Sequence, residues 1–196
     1  EPVTPAFTNT YSTTFEGNPD VVDCGNPSGG AGGQLFSFTD GANNDQAFSL
    51  SVWANIDPTQ PWRGWIEKSE AGQAEYSFRP VYSSGYIYFY IYDNAALGNI
   101  SQRVTVIEQK GEWALYTATY DGSGTPAGMK IYVNGVESQD SPYQAGTYNN
   151  MQLTPTPLEL GNGNGNSYIG DLDECSIYDK QLSTTEIVEL YNLGNP

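Results

Sequence analysis

Histidine is absent from all 196 residues. Serine–histidine triads, histidine zinc sites and imidazole acid–base chemistry are therefore excluded. Basic residues are scarce: 7 Lys and Arg stand against 23 Asp and Glu, a formal net charge of −16. So small a cationic footprint cannot track a phosphate backbone, so no nucleic-acid partner is expected. The two cysteines, Cys24 and Cys175, lie near opposite ends of the sequence, and no CxxC redox or zinc motif exists. No apolar run approaches the roughly 20 residues that span a bilayer, so no membrane insertion is expected. A cationic-then-apolar leader is missing too, and a chain opening on Glu1 reads as processed or excised from a longer polypeptide.

What is present points to a folded β protein. Hydrophobic residues make up 38% and aromatics 13%, enough for a core despite the charge. The length fits one large domain. The 22 Gly and 12 Pro set frequent turns, and 15 Tyr favour strands over helices. An acidic, lysine-poor composition rich in Asn, Gly and Tyr suits an extracellular medium, where salt screens the charge load.

Residues 1–10 (EPVTPAFTNT) carry two prolines and no periodicity, and read as a linker or edge segment. Residues 11–196 read as a single domain, without repeats or an internal linker. Short apolar runs alternate with turn clusters about every 8–12 residues, the pattern of an antiparallel β-sandwich. Strands are expected at Ser12–Phe15, Val21–Cys24, Ala47–Ile56, Gly64–Lys68, Ala74–Arg79 and Tyr86–Tyr92. Further strands are expected at Val104–Ile107, Trp113–Tyr120, Met129–Val133, Leu158–Leu160 and Asp171–Tyr178. Asn134-Gly135 is a hairpin signal, since both residues tolerate the positive φ of a type I′ turn. One short C-terminal helix is expected, opened by a capping box of Ser183 and Glu186. Ile187, Leu190 and Tyr191 share its apolar face, Gly194 is read as its left-handed stop, and the helix is placed on the sandwich rim.

These segments line up, in order, with a known family. FSLSVWANI (48–56), GEWALYTATYDGSG (111–124), MKIYVNGVE (129–137), PLELGN (157–162) and GDLDECSIYDKQLSTTEIVELYN (170–192) resemble the laminin G-like, concanavalin A-like jelly roll. FEGNPDVVDCGN (15–26) resembles its opening pair of strands, and the same order resembles the pentraxin branch of the architecture. The resemblance implies an all-β, two-sheet jelly-roll sandwich with termini close together. It says less about ligand, because members bind glycans or proteins. Laminarinase-type glycoside hydrolases of this architecture place Glu-x-Asp-x-x-Glu on one strand. The nearest segment here, Asp171-Leu172-Asp173-Glu174, lacks that spacing.

The stretch Tyr86-Ile87-Tyr88-Phe89-Tyr90-Ile91-Tyr92 carries the main functional signal. Alternation along a strand sends Ile87, Phe89 and Ile91 to the core and Tyr86, Tyr88, Tyr90 and Tyr92 to the other face. Such a row either stacks on sugar C–H faces while its hydroxyls bond sugar oxygens, or pairs with cross-strand neighbours. On the preceding strand Tyr76 and Phe78 suit the core, leaving Glu75, Ser77 and Arg79 outward, where Arg79 offers forked donors beside the row. Trp62, in the loop PTQPWRGW, is an exposed stacking candidate; Trp65 is read as buried, and Trp53 and Trp113 as core.

Two calcium sites are candidates, because Ca²⁺ collects oxygen ligands from loops. One joins Glu16 and Asp20 to Asp173, which shares parity with Cys175 and Ile177 and is placed toward the core. The other follows the pentraxin resemblance to the loop 161–166, where Asn162 and Asn164 stand in place of carboxylates. Cys24 and Cys175, on the opening and closing strands, are expected to be neighbours, either bridged or as two buried thiols.

The resulting expectation is a non-catalytic recognition module, binding a glycan or glycoprotein, on a secreted, surface or virion protein. The alternative is a structural adhesion or assembly unit whose partners are other copies of itself or of a parent assembly. A glycoside hydrolase is the third reading, set aside for want of correctly spaced carboxylates.

Overall fold

The computed structural model describes residues 12–17, 19–27, 34–40, 44–57, 64–70, 72–81, 85–105, 111–163 and 166–194. The expected N-terminal linker, Trp62, Asn164 and Ile107 lie outside the described residues. In chain order the first strands are β1 (Thr13–Glu16), β2 (Val22–Asp23), β3 (Phe48–Ile56), β4 (Ile66–Glu70) and β5 (Gln73–Val81). Next come β6 (Tyr86–Asp93), β7 (Gly98–Thr105), β8 (Trp113–Tyr120), β9 (Met129–Val133) and β10 (Val136–Glu137). The chain continues through β11 (Tyr143–Ala145), β12 (Glu159–Leu160), β13 (Asn162–Gly163), β14 (Asn166–Ser167) and β15 (Ile169–Tyr178) to helix α1 (Thr184–Leu193).

The strands form two antiparallel sheets, one in the order β1-β15-β3-β8-β9-β10 and the other β11-β7-β6-β5-β4-β12-β2, with β13-β14 as a small ribbon. Period-two alternation builds the core between them. Phe48, Leu50, Val52, Ala54 and Ile56 of β3 face Tyr76 and Phe78 of β5 and Ile87, Phe89 and Ile91 of β6, all fully buried. The centre is aromatic: Phe48 stacks on Phe38 at 4.3 Å and meets Phe89 edge-on at 5.6 Å, while Trp65 lies 4.7 Å from Tyr116. Trp65 is thus buried as expected. Trp113, expected in the core, is only half-buried, because it opens β8 at the sheet's end.

The β9–β10 hairpin turns on Asn134 and Gly135 at φ of 51° and 80°, the left-handed pair that a type I′ turn requires. Strand β7 starts at Gly98, six residues before the expected Val104, because Ser101-Gln102-Arg103 hides an otherwise regular strand among polar residues.

Helix α1 has the expected capping box: Glu186 N–H donates to the Ser183 side chain, and Glu186 receives the Ser183 N–H. Its position differs from expectation. It covers the outer face of the six-stranded sheet, where Ile187 and Leu182 bury against Tyr132 and Tyr191 stacks on Trp53 at 5.8 Å. Trp53 is therefore buried beneath the helix and outside the main core. Gly194 is extended, at φ −100°, and no left-handed stop forms. Glycine serves there for close approach, since a Cβ would sit 2.7 Å from the Trp53 Nε1.

Candidate functional site

With α1 on one outer face, no helix among the described residues covers the outer face of the other sheet, and β6 runs through its middle. Tyr86, Tyr88, Tyr90 and Tyr92 line that face half-buried, while Ile87, Phe89 and Ile91 are fully buried behind them. Their rings form a continuous ladder. Tyr88 and Tyr90 stack at 5.0 Å and 14°, Tyr90 and Tyr92 at 5.7 Å and 22°, and Tyr86 meets Tyr88 edge-on at 6.0 Å. Offset stacks of this kind keep the phenols rigid and upright. Burial, and then its Tyr88 neighbour, pushes the Tyr90 phenol up to about 12, so at neutral pH it is a hydrogen-bond donor.

Sheet register decides what stands beside the ladder. Arg79 of β5 and Arg103 of β7 pair with Tyr88 from either side. The Arg79 guanidinium lies 5.6 Å from the Tyr90 ring, and that of Arg103 lies 4.3 Å from the Tyr86 ring, both cation–π distances. One residue level further, Ser77, Tyr90, Ser101 and Tyr143 follow one another across β5, β6, β7 and β11. The small Ser101 between two tyrosines leaves a groove of about 400 Å³, lined by Tyr88, Tyr90, Ser101, Arg103, Ser141 and Tyr143. Ladder and Arg79 were legible from strand parity. Arg103, Ser101 and Tyr143 were not, because they come from β7 and β11, strands without an apolar signature.

Glu75 is a correction. It was expected outward beside Arg79, but it is fully buried in an ion pair with Lys68 at 2.9 Å. A β-bulge is the cause: Lys68 pairs with Tyr76 and Ser69 with Ala74, so Glu75 is the extra residue and turns inward. Lys68 Nζ also donates to the carbonyls of Thr154 and Thr156, and Glu75 accepts from the Thr154 N–H and hydroxyl. Burial lowers the Lys68 pKa, opposed by the adjacent Glu75 charge. The pair pins segment 154–156 and does not serve the tyrosine face.

The carboxylate buried on the outer face is that of Glu67, opposite Ser77 and 1% exposed. The β13–β14 ribbon closes over it: a Cβ on Gly163 would lie 2.5 Å from its Oε1. Arg79 stands 3.9 Å away. Burial pushes the Glu67 carboxyl up to about 7, Arg79 and Ser77 draw it partly back, and Glu159 raises it again.

Of the two calcium candidates, the first is not brought together. Glu16 pairs with Ile169, whereas Asp173 lies beyond the Thr13–Leu172 pair at the other end of β1, a separation of about 13 Å along the strand. The Asp20 carboxylate instead accepts the Glu16 N–H at 2.8 Å. Asp173 does not follow the parity of Cys175: a bulge with Glu174 at φ 47° intervenes, so Leu172 and Cys175 both reach the core and Asp173 pairs across from Trp53. Asn162 donates to Glu159 at 2.6 Å, within the ribbon that covers Glu67. Among the described residues no three His, Cys, Asp or Glu side chains gather as a metal site.

Cys24 follows β2 in one sheet and Cys175 lies on β15 in the other; both pack against the core as free thiols. Burial pushes the Cys175 thiol up to about 12, with smaller contributions from Asp173 and then Cys24. No helix among the described residues is long and apolar enough to cross a membrane.

Among solved structures the fold resembles botulinum neurotoxin binding domains. One, from work on type C cell entry dependent on two ganglioside molecules, is 17% identical with a TM-score of 0.55, covering 75% of this chain and 35% of that one. Another, the DC binding domain in complex with rat synaptotagmin II, is 18% identical with a TM-score of 0.55, covering 75% and 35%. The serotype D binding domain is 18% identical with a TM-score of 0.57, covering 74% and 36%. The chain spans about a third of those chains, and at such identity the likeness is one of fold. No curated protein matches the sequence. Residues 29–188 match the concanavalin A-like lectin/glucanases superfamily, and the chain belongs to that family.

Proposed function

We propose that the domain is a non-catalytic recognition module that binds carbohydrate on the outer face of its seven-stranded sheet, in an extracellular or surface setting. The observation that carries this reading is the half-buried ladder of Tyr86, Tyr88, Tyr90 and Tyr92. The strand's other face already fills the core, so these rings are not needed to build it. Three stacked phenols, with Tyr86 edge-on at their end, present a row of apolar ring edges tipped by hydroxyls, and a pyranose presents apolar C–H faces ringed by hydroxyls. Arg79, Arg103 and Ser101 add fixed hydrogen-bonding groups beside the rings. Receptor binding by the neurotoxin domains is compatible with such a role, and the binding they perform belongs to chains nearly three times as long as the shared part.

A glycan array probed with the whole chain tests the proposal. The expected result is a restricted set of bound glycans, with binding lost in a Tyr88→Ala, Tyr90→Ala double variant that keeps its thermal midpoint. A chain that binds no glycan would give the lead to an assembly unit working through protein contacts.

A further inference from the structure

The groove beside the tyrosine ladder is more specific than a flat platform. Tyr90 and Tyr143 stand on strands separated only by β7, so their backbones are about 9.6 Å apart, two strand spacings, with Ser101 as the floor between them. The faces of the Tyr90 ring are stacked on Tyr88 and Tyr92, so Tyr90 turns a ring edge to the slot. A ligand ring needs roughly 3.5–4 Å of clearance on each side, so the slot takes one ring. Tyr143 is 61% exposed, which leaves that wall open to solvent and ligand.

The charge at the groove's end is unusual for this chain. Among the described residues Lys68, Arg79, Lys130 and Lys180 each have a carboxylate within 4 Å. Arg103 has none among them. Its nearest acidic neighbour in sequence register, Asp140, gives its carboxylate to the Thr105 N–H and hydroxyl, at 3.0 and 2.8 Å. The Arg103 Nε is buried without a hydrogen-bond partner, and the guanidinium is held over the Tyr86 ring. A guanidinium positioned by Tyr86 and Tyr88, with Asp140 attracting it only from beyond ion-pair distance, sits at the mouth of a one-ring slot, where its forked donors match a planar carboxylate.

We propose, building on the carbohydrate reading, that this groove takes one pyranose ring of an acidic saccharide between Tyr90 and Tyr143, with its carboxylate on Arg103. The ligand class is a sugar bearing a single carboxylate, a sialic or uronic acid. The net charge of −16 repels an extended polyanion, whereas its long-range field is screened beyond about 8 Å at physiological salt and leaves the local Arg103 contact in control. Arg103 binds and orients; no covalent step is involved.

Isothermal titration of the whole chain tests this with two matched pairs: 3′-sialyllactose against lactose, and a glucuronic-acid disaccharide against its carboxyl-reduced form. One acidic member is expected to bind about tenfold tighter than its neutral partner, the scale of a charge-assisted hydrogen bond, and which pair responds names the acid. Arg103→Gln is expected to remove the preference, so that the acidic and neutral members bind that variant with equal affinity, and Tyr143→Ala to weaken both members. Equal affinity for acid and neutral sugar, or a preference that survives Arg103→Gln in a variant with unchanged thermal midpoint, overturns the acidic-ligand inference and leaves carbohydrate recognition standing. Binding of no sugar by the parent chain overturns both.

Discussion

Neighbouring residues of β6 have opposite roles because a strand alternates its faces. Phe89 is fully buried and touches Phe48 and Phe78, so Phe89→Ala opens a cavity and should cost roughly 3–5 kcal/mol of stability. Tyr88→Ala and Tyr90→Ala remove rings from a half-buried ladder. They should cost binding roughly 1–3 kcal/mol each, by analogy with stacking of bases, with little loss of stability. Urea melts and glycan titrations on the three variants separate these outcomes; tyrosine variants as unstable as Phe89→Ala would make the ladder a structural feature. Glu67 supplies a pH dependence. Its carboxyl ionises near 4.5 in an unconstrained chain and at about 7 when folded. Between those values the folded state holds a proton that the unfolded state has released, so stability falls as pH rises through that window. The group's full swing is on the order of 3 kcal/mol, present below pH 4.5 and lost above about pH 7. Glu67→Gln should remove this component, which urea unfolding at pH 5 and pH 8 measures; an unchanged pH slope would show that another group sets it.

At the level of elements, two β-bulges redirect side chains that simple alternation sends elsewhere. The bulge in β5 turns Glu75 inward onto Lys68, and the bulge in β15 separates Asp173 from the face of Cys175. The first creates a fully buried ion pair, whose members are costly to separate. Lys68→Met alone strands the Glu75 charge and should cost roughly 3–5 kcal/mol, while Lys68→Met with Glu75→Leu should recover most of it. Thermal and denaturant melts of the single and double variants test this, and a double variant no better than the single would contradict it. The capping box of α1 lies near the C-terminal end of the chain, where Lys180 also pairs with Glu186. Ser183→Ala should cost about 1 kcal/mol, read as the change in denaturant midpoint, because it leaves the Glu186 N–H without its side-chain acceptor.

Across the whole molecule the two outer faces differ in what covers them. Helix α1 closes the six-stranded sheet over Trp53, while the seven-stranded sheet keeps its tyrosines, Arg79 and Arg103 at the surface. The family includes glucanases, but Asp171 and Asp173 lack the laminarinase spacing, and the Asp171 carboxylate accepts the Thr14 hydroxyl at 2.7 Å. Incubation with β-glucans should therefore release no reducing sugar above background, and release abolished by Asp171→Ala or Asp173→Ala would refute a non-catalytic role. Local pattern was sufficient for much of this architecture: the β6 alternation, the Asn134-Gly135 turn and the Ser183–Glu186 box each depend on residues within a few positions of one another. The position of α1, the inward turn of Glu75, the separation of Glu16 from Asp173 and the groove between Tyr90 and Tyr143 depend on register between strands remote in sequence. A one-residue bulge or an intervening strand changes a side chain's face or neighbour without altering the local pattern, so only the tertiary structure could decide them.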